Sequence, residues 1–541
     1  MGPSQIIDVP AILADFCDIA PDPGNPAQRV SFGTSGHRGR SSDGSFNEAH
    51  IAAICQAICE RRSQLGINGP LFLGMDTHAL SRNAHNVALE VLAGNRVTVC
   101  LSRAEGAAAY TPTPAVSRAI ISENSRAGKP HADGIVITPS HNPPTDGGIK
   151  YNPPVGGPAD TATTGWIETR ANELLSTWRR DVRRIPLERA LDADRTVAFD
   201  FLTPYVDGLA LAIDTGAIAR SQIRIGVDPL GGASTAWWPE IANRYRLNLE
   251  VLATAIDPSF SFIPPDYDGV IRMDCSSPPV VANLVSHRNE FRIAFACDPD
   301  ADRHGIVTPT AGLLDPNGYL AAMVHYLLHH REKWPAGARA AKTIVTSSLV
   351  DRAVEAAGRK VCETPVGFKW FADGLLNGTI AFGGEESAGA SFLCLDGAPW
   401  TTDKDGIVAC MLAAEITAVT GHDPGEWIER LHGELGRPWY RRVNAPATLK
   451  QQEALRNLTP EAVSADTLAG EPVLQRLTTA PCNDAPIGGL KVSGSAGWFV
   501  ARPSGTEPIY KIYAESFRDE ATVDAILHEA QQIVTDTLSN T

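Results

Sequence analysis

Three aspartates stand at alternate positions in the run Cys297-Asp298-Pro299-Asp300-Ala301-Asp302-Arg303-His304-Gly305. Alternate side chains of an extended segment turn to one side. Three carboxylates on one side repel one another unless a cation lies between them. An all-oxygen ligand set suits Mg²⁺ or Mn²⁺ better than zinc. An EF-hand loop fits less well, because Arg303 stands where that loop needs glycine and no glutamate closes it. Mg²⁺ completes its shell readily with phosphate oxygens and water. Ser140 could carry such a phosphate. It lies in Thr138-Pro139-Ser140-His141-Asn142-Pro143-Pro144, directly after the apolar run Gly134-Ile135-Val136-Ile137. Proline and asparagine end that strand. Open α/β sheets bind ligands just beyond the carboxyl ends of their strands.

Three further loops offer groups for an anionic or hydroxylated ligand. Phe32 to Arg40 holds three glycines among Thr, Ser, His and Arg. Its free backbone amides could face an anion, although no Gly-Lys-Ser/Thr follows to make it a Walker loop. Gly383-Gly384-Glu385-Glu386-Ser387-Ala388-Gly389 sets a carboxylate and a hydroxyl between glycines that permit close backbone approach. Thr364-Pro365-Val366-Gly367-Phe368-Lys369 adds a cation nearby. Arg502-Pro503-Ser504-Gly505-Thr506-Glu507-Pro508 combines a guanidinium, two hydroxyls and a glycine turn, a set suited to phosphate. Each of these three alone reads equally as an ordinary turn.

The elements that must position these loops alternate. Glu48 to Leu65 is patterned as a helix, Leu71 to Met75 as a strand, Ala84 to Ala93 as a helix and Val97 to Cys100 as a strand. This rhythm predicts a parallel or mostly parallel sheet covered on both faces. A charged helical stretch from Gly165 to Arg180 reads as a peripheral insertion. The pattern restarts at the strand Ile223 to Asp228, where Gly231 to Ser234 is expected to open a helix, and the strand Arg292 to Ala296 leads into Asp298. It restarts again with the helix Gly318 to His330, the strand Thr343 to Thr346, the helix Leu349 to Ala357 and the strand Ile380 to Phe382. The last hundred residues group strands (Gly489 to Val492, Trp498 to Ala501, Ile509 to Tyr513) before a final helix, Glu520 to Leu538, as in a smaller α+β domain.

A chain of 541 residues is too long for one core. Its composition, 43% apolar and 20% charged, is that of a globular protein. A net charge of -15 gives no general attraction for nucleic acid or an anionic membrane. No apolar run reaches the length of a membrane span, and no N-terminal targeting or myristoylation pattern occurs. The 10 cysteines form no CxxC pair, and Cys55 and Cys59 fit core packing. Free buried thiols point to a reducing compartment, so a cytoplasmic location is expected.

Taken in order, the loops that begin at Phe32, Thr138, Gly383 and Arg502 resemble those of the α-D-phosphohexomutases, from about Ser31 to about Ser516, with wording closest to the bacterial phosphoglucomutases. The resemblance implies four domains around a central cleft: three related α/β units with mixed sheets and a smaller C-terminal α+β domain. The expected spans are 1–206 with the phosphoserine loop, 207–313 with the metal loop, 314–437 with the sugar loop and 438–541 with the phosphate loop. Ser140 would be the phosphoserine, and with Asp298, Asp300 and Asp302 it would hold Mg²⁺. Arg38 and Lys150 match the candidates for general acid and base, with His141 beside the phosphoserine. Lys150 is the better base on physical grounds, because arginine almost never deprotonates. Arg303 and His304 would orient substrate. Thr364, Gly367, Lys369, Glu385 and Ser387 would line the sugar site. Arg502, Ser504, Gly505 and Thr506, with Lys511, would hold the non-reacting phosphate.

The activity so implied is the interconversion of glucose 1-phosphate and glucose 6-phosphate through glucose 1,6-bisphosphate, which serves as intermediate and activator. The intermediate must turn end for end between two transfers. A phosphomannomutase, another phosphohexomutase and a metal-dependent sugar-phosphate phosphatase are the alternatives. Small sugar phosphates are the expected partners of a monomer or homodimer.

Overall fold

The computed structural model describes residues 7–33, 36–463, 465–503 and 509–539. They form four sheets. Leu71–Met75 and Asp133–Ile137 are buried at every position and pair in parallel at the centre of a seven-stranded sheet. A strand covered on both faces reads as an unbroken apolar run, as both of these nearly do. The helices Glu48–Leu65, Ser81–Gly94 and Thr113–Asn124 contribute the covering side chains. The chain then returns antiparallel as Asp146–Asn152, between Asp133–Ile137 and Gly36–Arg40. That return sets Lys150 opposite Val136 and Arg38 opposite Gly148, on strands that flank the Ser140 loop.

In the second unit Ile293–Cys297 runs parallel to Ile225–Asp228 and antiparallel to His304–Thr308. The acidic triplet is the connection of that last hairpin. In the third unit a hairpin joins Ile380–Glu385 to Gly389–Phe392, and Ser387 lies in its turn. The fourth sheet has six strands, antiparallel throughout, with Glu520–Ser539 packed on it. One apolar core runs from the first unit to the third through Tyr205, Trp237, Trp238 and Trp400. The C-terminal unit keeps its own core and docks on the third through Ile344, Val345, Trp498 and Tyr513.

Four local expectations are corrected. The strand expected at Thr343 to Thr346 lies earlier, at Arg339–Thr343. Ile344 and Val345 are apolar because they are buried against the C-terminal unit from a turn. Gly231 to Ser234 forms turns, and the helix starts at Trp237. Gly231 has φ +66°, and a Cβ on Gly232 would sit 2.6 Å from Pro299 Cα, so this glycine pair lets the acidic loop approach. The stretch around Gly165 is no peripheral insertion. Its helix, Thr161–Leu175, buries Ile167, Ala171, Leu174 and Leu175 in a second core of the first unit, with Leu71, Ile135 and Ile137. Finally, the cysteines are not all free, because Cys362 and Cys482 form a disulfide between the third and fourth units. Among the described residues no helix is long and apolar enough to cross a membrane.

Candidate active site

Ser140 is buried, with φ +60° in a region that residues other than glycine seldom adopt. Its Oγ donates to Asp298 Oδ2 over 2.8 Å and lies 3.4 Å from His141 Nδ1. The strand Asp146–Asn152 passes close beneath the loop, and a Cβ on Gly148 would lie 2.2 Å from the Thr138 carbonyl oxygen.

The acidic loop turns back through Ala301 at φ +54°. This turn gathers Asp298, Asp300 and Asp302, all buried, so that one carboxylate oxygen from each lies within 4.8 Å of the others. Asp298 Oδ1 accepts the Arg303 backbone N–H at 3.0 Å. Asp300 Oδ2 accepts from Thr113 Oγ1 and from Lys150 Nζ, each at 2.6 Å. Asp302 Oδ2 faces Lys150 Nζ at 2.9 Å and Lys404 Nζ at 3.2 Å. Asp300 Oδ1 and Asp302 Oδ1 are buried and accept no hydrogen bond. Such oxygens cost free energy unless a cation or donor reaches them. The donor set therefore fits a hard divalent ion, and among the described residues no other group of His, Cys, Asp and Glu does.

The electrostatics follow the same layout. Burial, then Asp300 and Asp302, push the Asp298 carboxyl well above the usual range. Burial also works against ionised Asp302, but Lys150, Lys404 and Arg303 hold it below its ordinary value. Burial works against the Lys150 ammonium, and Asp300 and Asp302 outweigh it, so its pKa is raised. Arg303 is held above its usual value against burial, with its Nε 3.8 Å from Asp302 and 4.0 Å from Asp298. Arg38 donates to Asn142 Oδ1 at 2.9 Å beside the Ser140 loop.

The Gly383–Gly389 loop reaches this centre through backbone. Arg303 pairs with Gly389 in an isolated antiparallel bridge, and His304 N donates to Ala388 O at 3.1 Å. Glu385 accepts from Gly367 N at 3.0 Å, and burial lifts its carboxyl to about 7 despite Lys404. Ser387 is half-buried in the turn. The His304 ring faces Tyr319 edge-on in the interior, with neither nitrogen hydrogen-bonded, and its pKa falls to about 3 through burial and Arg303. Thr364 Oγ1 turns to its neighbour's carbonyl, and Lys369 Nζ reaches Thr161 Oγ1 in the first unit at 2.9 Å.

The structure thus joins Ser140, His141, Arg38, Lys150, the three aspartates and Arg303 in one centre, with Glu385 and Ser387 one bridge away. Arg502 and Lys511 oppose each other on adjacent strands of the fourth sheet. Ser504, Gly505 and Thr506 lie outside the described residues. Sequence reasoning missed Lys404. It sits before the helix Gly406–Thr420, with its stem against Gly389 and its ammonium near the Phe368 ring as well as Asp302. The available signal was a lysine between two aspartates, Asp403-Lys404-Asp405, directly ahead of an apolar helix.

Three α/β units and an antiparallel fourth, with a serine facing an aspartate triad, have the architecture of the α-D-phosphohexomutases. All four domain models described as phosphoglucomutase/phosphomannomutase match: domain I over residues 29–177, II over 203–312, III over 315–434 and the C-terminal domain over 440–532. A Komagataeibacter xylinus protein named phosphoglucomutase is 53% identical over 534 residues, 99% of this chain and 96% of its own. The chain belongs to the phosphoglucomutase/phosphomannomutase family of enzymes. The open form of Paramecium pp63/parafusin shares the fold at 20% identity and a TM-score of 0.72, covering 97% of this chain and 96% of that one. So does Aspergillus fumigatus N-acetylphosphoglucosamine mutase, solved with GlcNAc-6P and magnesium, at 14% identity and 0.57, covering 95% and 96%.

Proposed function

We propose that this chain is a phosphoglucomutase that interconverts glucose 1-phosphate and glucose 6-phosphate. The reaction runs through phosphorylated Ser140 and glucose 1,6-bisphosphate. The observation that carries the reading is the Ser140–Asp298 contact at 2.8 Å, which puts a hydroxyl nucleophile against the acidic triad. Asp298, Asp300 and Asp302, with the Ser140 phosphate, would hold Mg²⁺, which when bound neutralises charge on the transferring phosphoryl group.

In the first transfer the Ser140 Oγ–P bond breaks and a bond forms from phosphorus to the free sugar hydroxyl. The hydroxyl proton leaves, and Ser140 ends as the alcohol. Lys150, held as the ammonium by Asp300 and Asp302, gives its proton to the departing Ser140 oxygen and, then neutral, takes the proton of the sugar hydroxyl, so that it ends protonated as it began. The bisphosphate then reorients and returns its other phosphoryl group to Ser140. Glu385 and Ser387 bind sugar hydroxyls in both orientations. Arg502, Ser504, Gly505, Thr506 and Lys511 hold the phosphate that is not reacting.

The test is a coupled assay on glucose 1-phosphate, mannose 1-phosphate and glucosamine 1-phosphate, with catalytic bisphosphate added and free phosphate measured in parallel. Turnover highest on glucose 1-phosphate without net phosphate release is expected. A preference for another sugar overturns the substrate assignment, and stoichiometric phosphate release overturns the mutase.

A further inference from the structure

Asp76 ends the buried strand Leu71–Met75 and is itself fully buried. Its carboxylate accepts four hydrogen bonds. His78 N at 3.0 Å and Ser81 Oγ at 2.5 Å reach Oδ1, while His78 Nδ1 at 2.8 Å and Thr138 Oγ1 at 2.6 Å reach Oδ2. A carboxylate only accepts, so the Thr138 hydroxyl must give its single proton to Asp76. Its lone pairs are thereby turned to the Ser140 backbone N–H, which donates to Thr138 Oγ1 at 2.8 Å. On the other side of Ser140, His78 Nε2 lies 3.0 Å from the Asn142 carbonyl oxygen. Both ring nitrogens of His78 therefore face groups that only accept, and both must carry a proton. The ring is an imidazolium held between Asp76 and Asn142.

The surroundings agree. Phe260 packs its ring 5.0 Å from that of His78, and the charged groups acting on the ring are Asp76 and, more weakly, Asp146. Burial alone would favour the neutral forms. Their mutual attraction and hydrogen bonds instead hold His78 above and Asp76 below its ordinary pKa. Asn142 in turn uses its side chain to accept from Arg38 and to donate to Asp146. The strand pairing ends at Thr138, beyond which Met273 N donates to the His141 carbonyl oxygen at 3.2 Å, and the Ser140 φ of +60° is not one a serine takes unaided.

We propose that Asp76 and His78 are positioning residues for phosphoryl transfer, clamping the chain on both sides of Ser140 through Thr138 Oγ1 and the Asn142 carbonyl. This rests on the phosphoserine reading above. The clamp acts on the nucleophile and not on the sugar, so loosening it lowers kcat and leaves KM nearly unchanged.

The experiment compares wild type with Thr138→Val, which keeps the shape but removes the hydroxyl, and with Thr138→Ser, which restores it. Thr138→Val is expected to lose about ten- to hundredfold in kcat with KM within about threefold, and Thr138→Ser to recover most of the loss. In wild type, ¹⁵N NMR of the imidazole is expected to show both His78 nitrogens protonated at neutral pH. A Thr138→Val kcat within about twofold of wild type overturns the proposal, as does failure of Thr138→Ser to rescue it. A neutral His78 tautomer overturns it by itself, so the spectrum decides should Thr138→Val not fold. Wild-type protein without mutase turnover would fault the phosphoserine reading instead.

Discussion

Ser140 Oγ and Asp298 Oδ2 stand 2.8 Å apart across 158 residues of chain. The contact joins the ends of two buried strands from different sheets, Asp133–Ile137 and Ile293–Cys297. Packing fixes the strands, so the Ser140 loop starts from a fixed end close to the acid. Ser140→Ala removes the phosphate carrier and, with it, only the hydroxyl's contacts with Asp298 and His141. Turnover should fall by on the order of 10⁴ or more, while the melting temperature moves by a few degrees at most. Steady-state kinetics beside calorimetry check this, and near-normal turnover would refute the phosphoserine role.

The buried oxygens of Asp300 and Asp302 that accept no hydrogen bond predict a response to metal that does not depend on turnover. Adding Mg²⁺ should raise the melting temperature, because an ion that binds only the folded state stabilises it by mass action. At a hundred times the dissociation constant the gain is about 2.7 kcal/mol. Asp300→Asn should lose most of that rise. An equal rise in wild type and variant would place the ion elsewhere.

How much of this was open to reading depended on distance along the chain. Asp298, Asp300 and Asp302 declare themselves because their spacing is local and their chemistry has few other uses. The Ser140 loop is legible for the same reason. Lys404 was not, since a lysine beside two aspartates looks like a solvated turn until the fold buries it at 5% exposure. Ile344 and Val345 were misread because an apolar pair has the same pattern whether it faces a sheet or a neighbouring unit. Nothing in the sequence could pair Cys362 with Cys482, which are 120 residues apart.

Lys404 is expected to carry stability as well as to shape the site. Lys404→Met withdraws the cation between Asp302 and Asp403. Asp302 keeps Lys150, and Asp403 keeps the Asn152 amide at 3.0 Å. The loss should therefore sit at the low end for a broken buried pair, about 3 kcal/mol. Denaturant midpoints measure it, and an unchanged midpoint would show that Lys404 neutralises neither acid.

The disulfide links the third unit to the fourth beside the Glu363–Lys491 ion pair. A non-reducing digest should yield one cross-linked fragment holding Cys362 and Cys482. Cys482→Ser should lower stability by about 2–4 kcal/mol, chiefly because the unfolded chain regains its freedom. Alkylation of both thiols in protein that has never met reductant would show that the bond does not form.

Glu385 gives a pH dependence with a definite sign. Its carboxyl titrates near 4.5 in the unfolded chain and at about 7 in the fold, chiefly because it is buried. Between these values the folded state holds a proton that the unfolded state has released. Stability from this group is therefore greatest in acid and falls as pH rises through 7, by a total on the order of 3 kcal/mol. Glu385→Gln cannot ionise and escapes that loss. Its melting temperature should gain on wild type between about pH 5 and about pH 8, and a gap that stays constant or narrows would mean that Glu385 is already ionised in the fold at the lower pH.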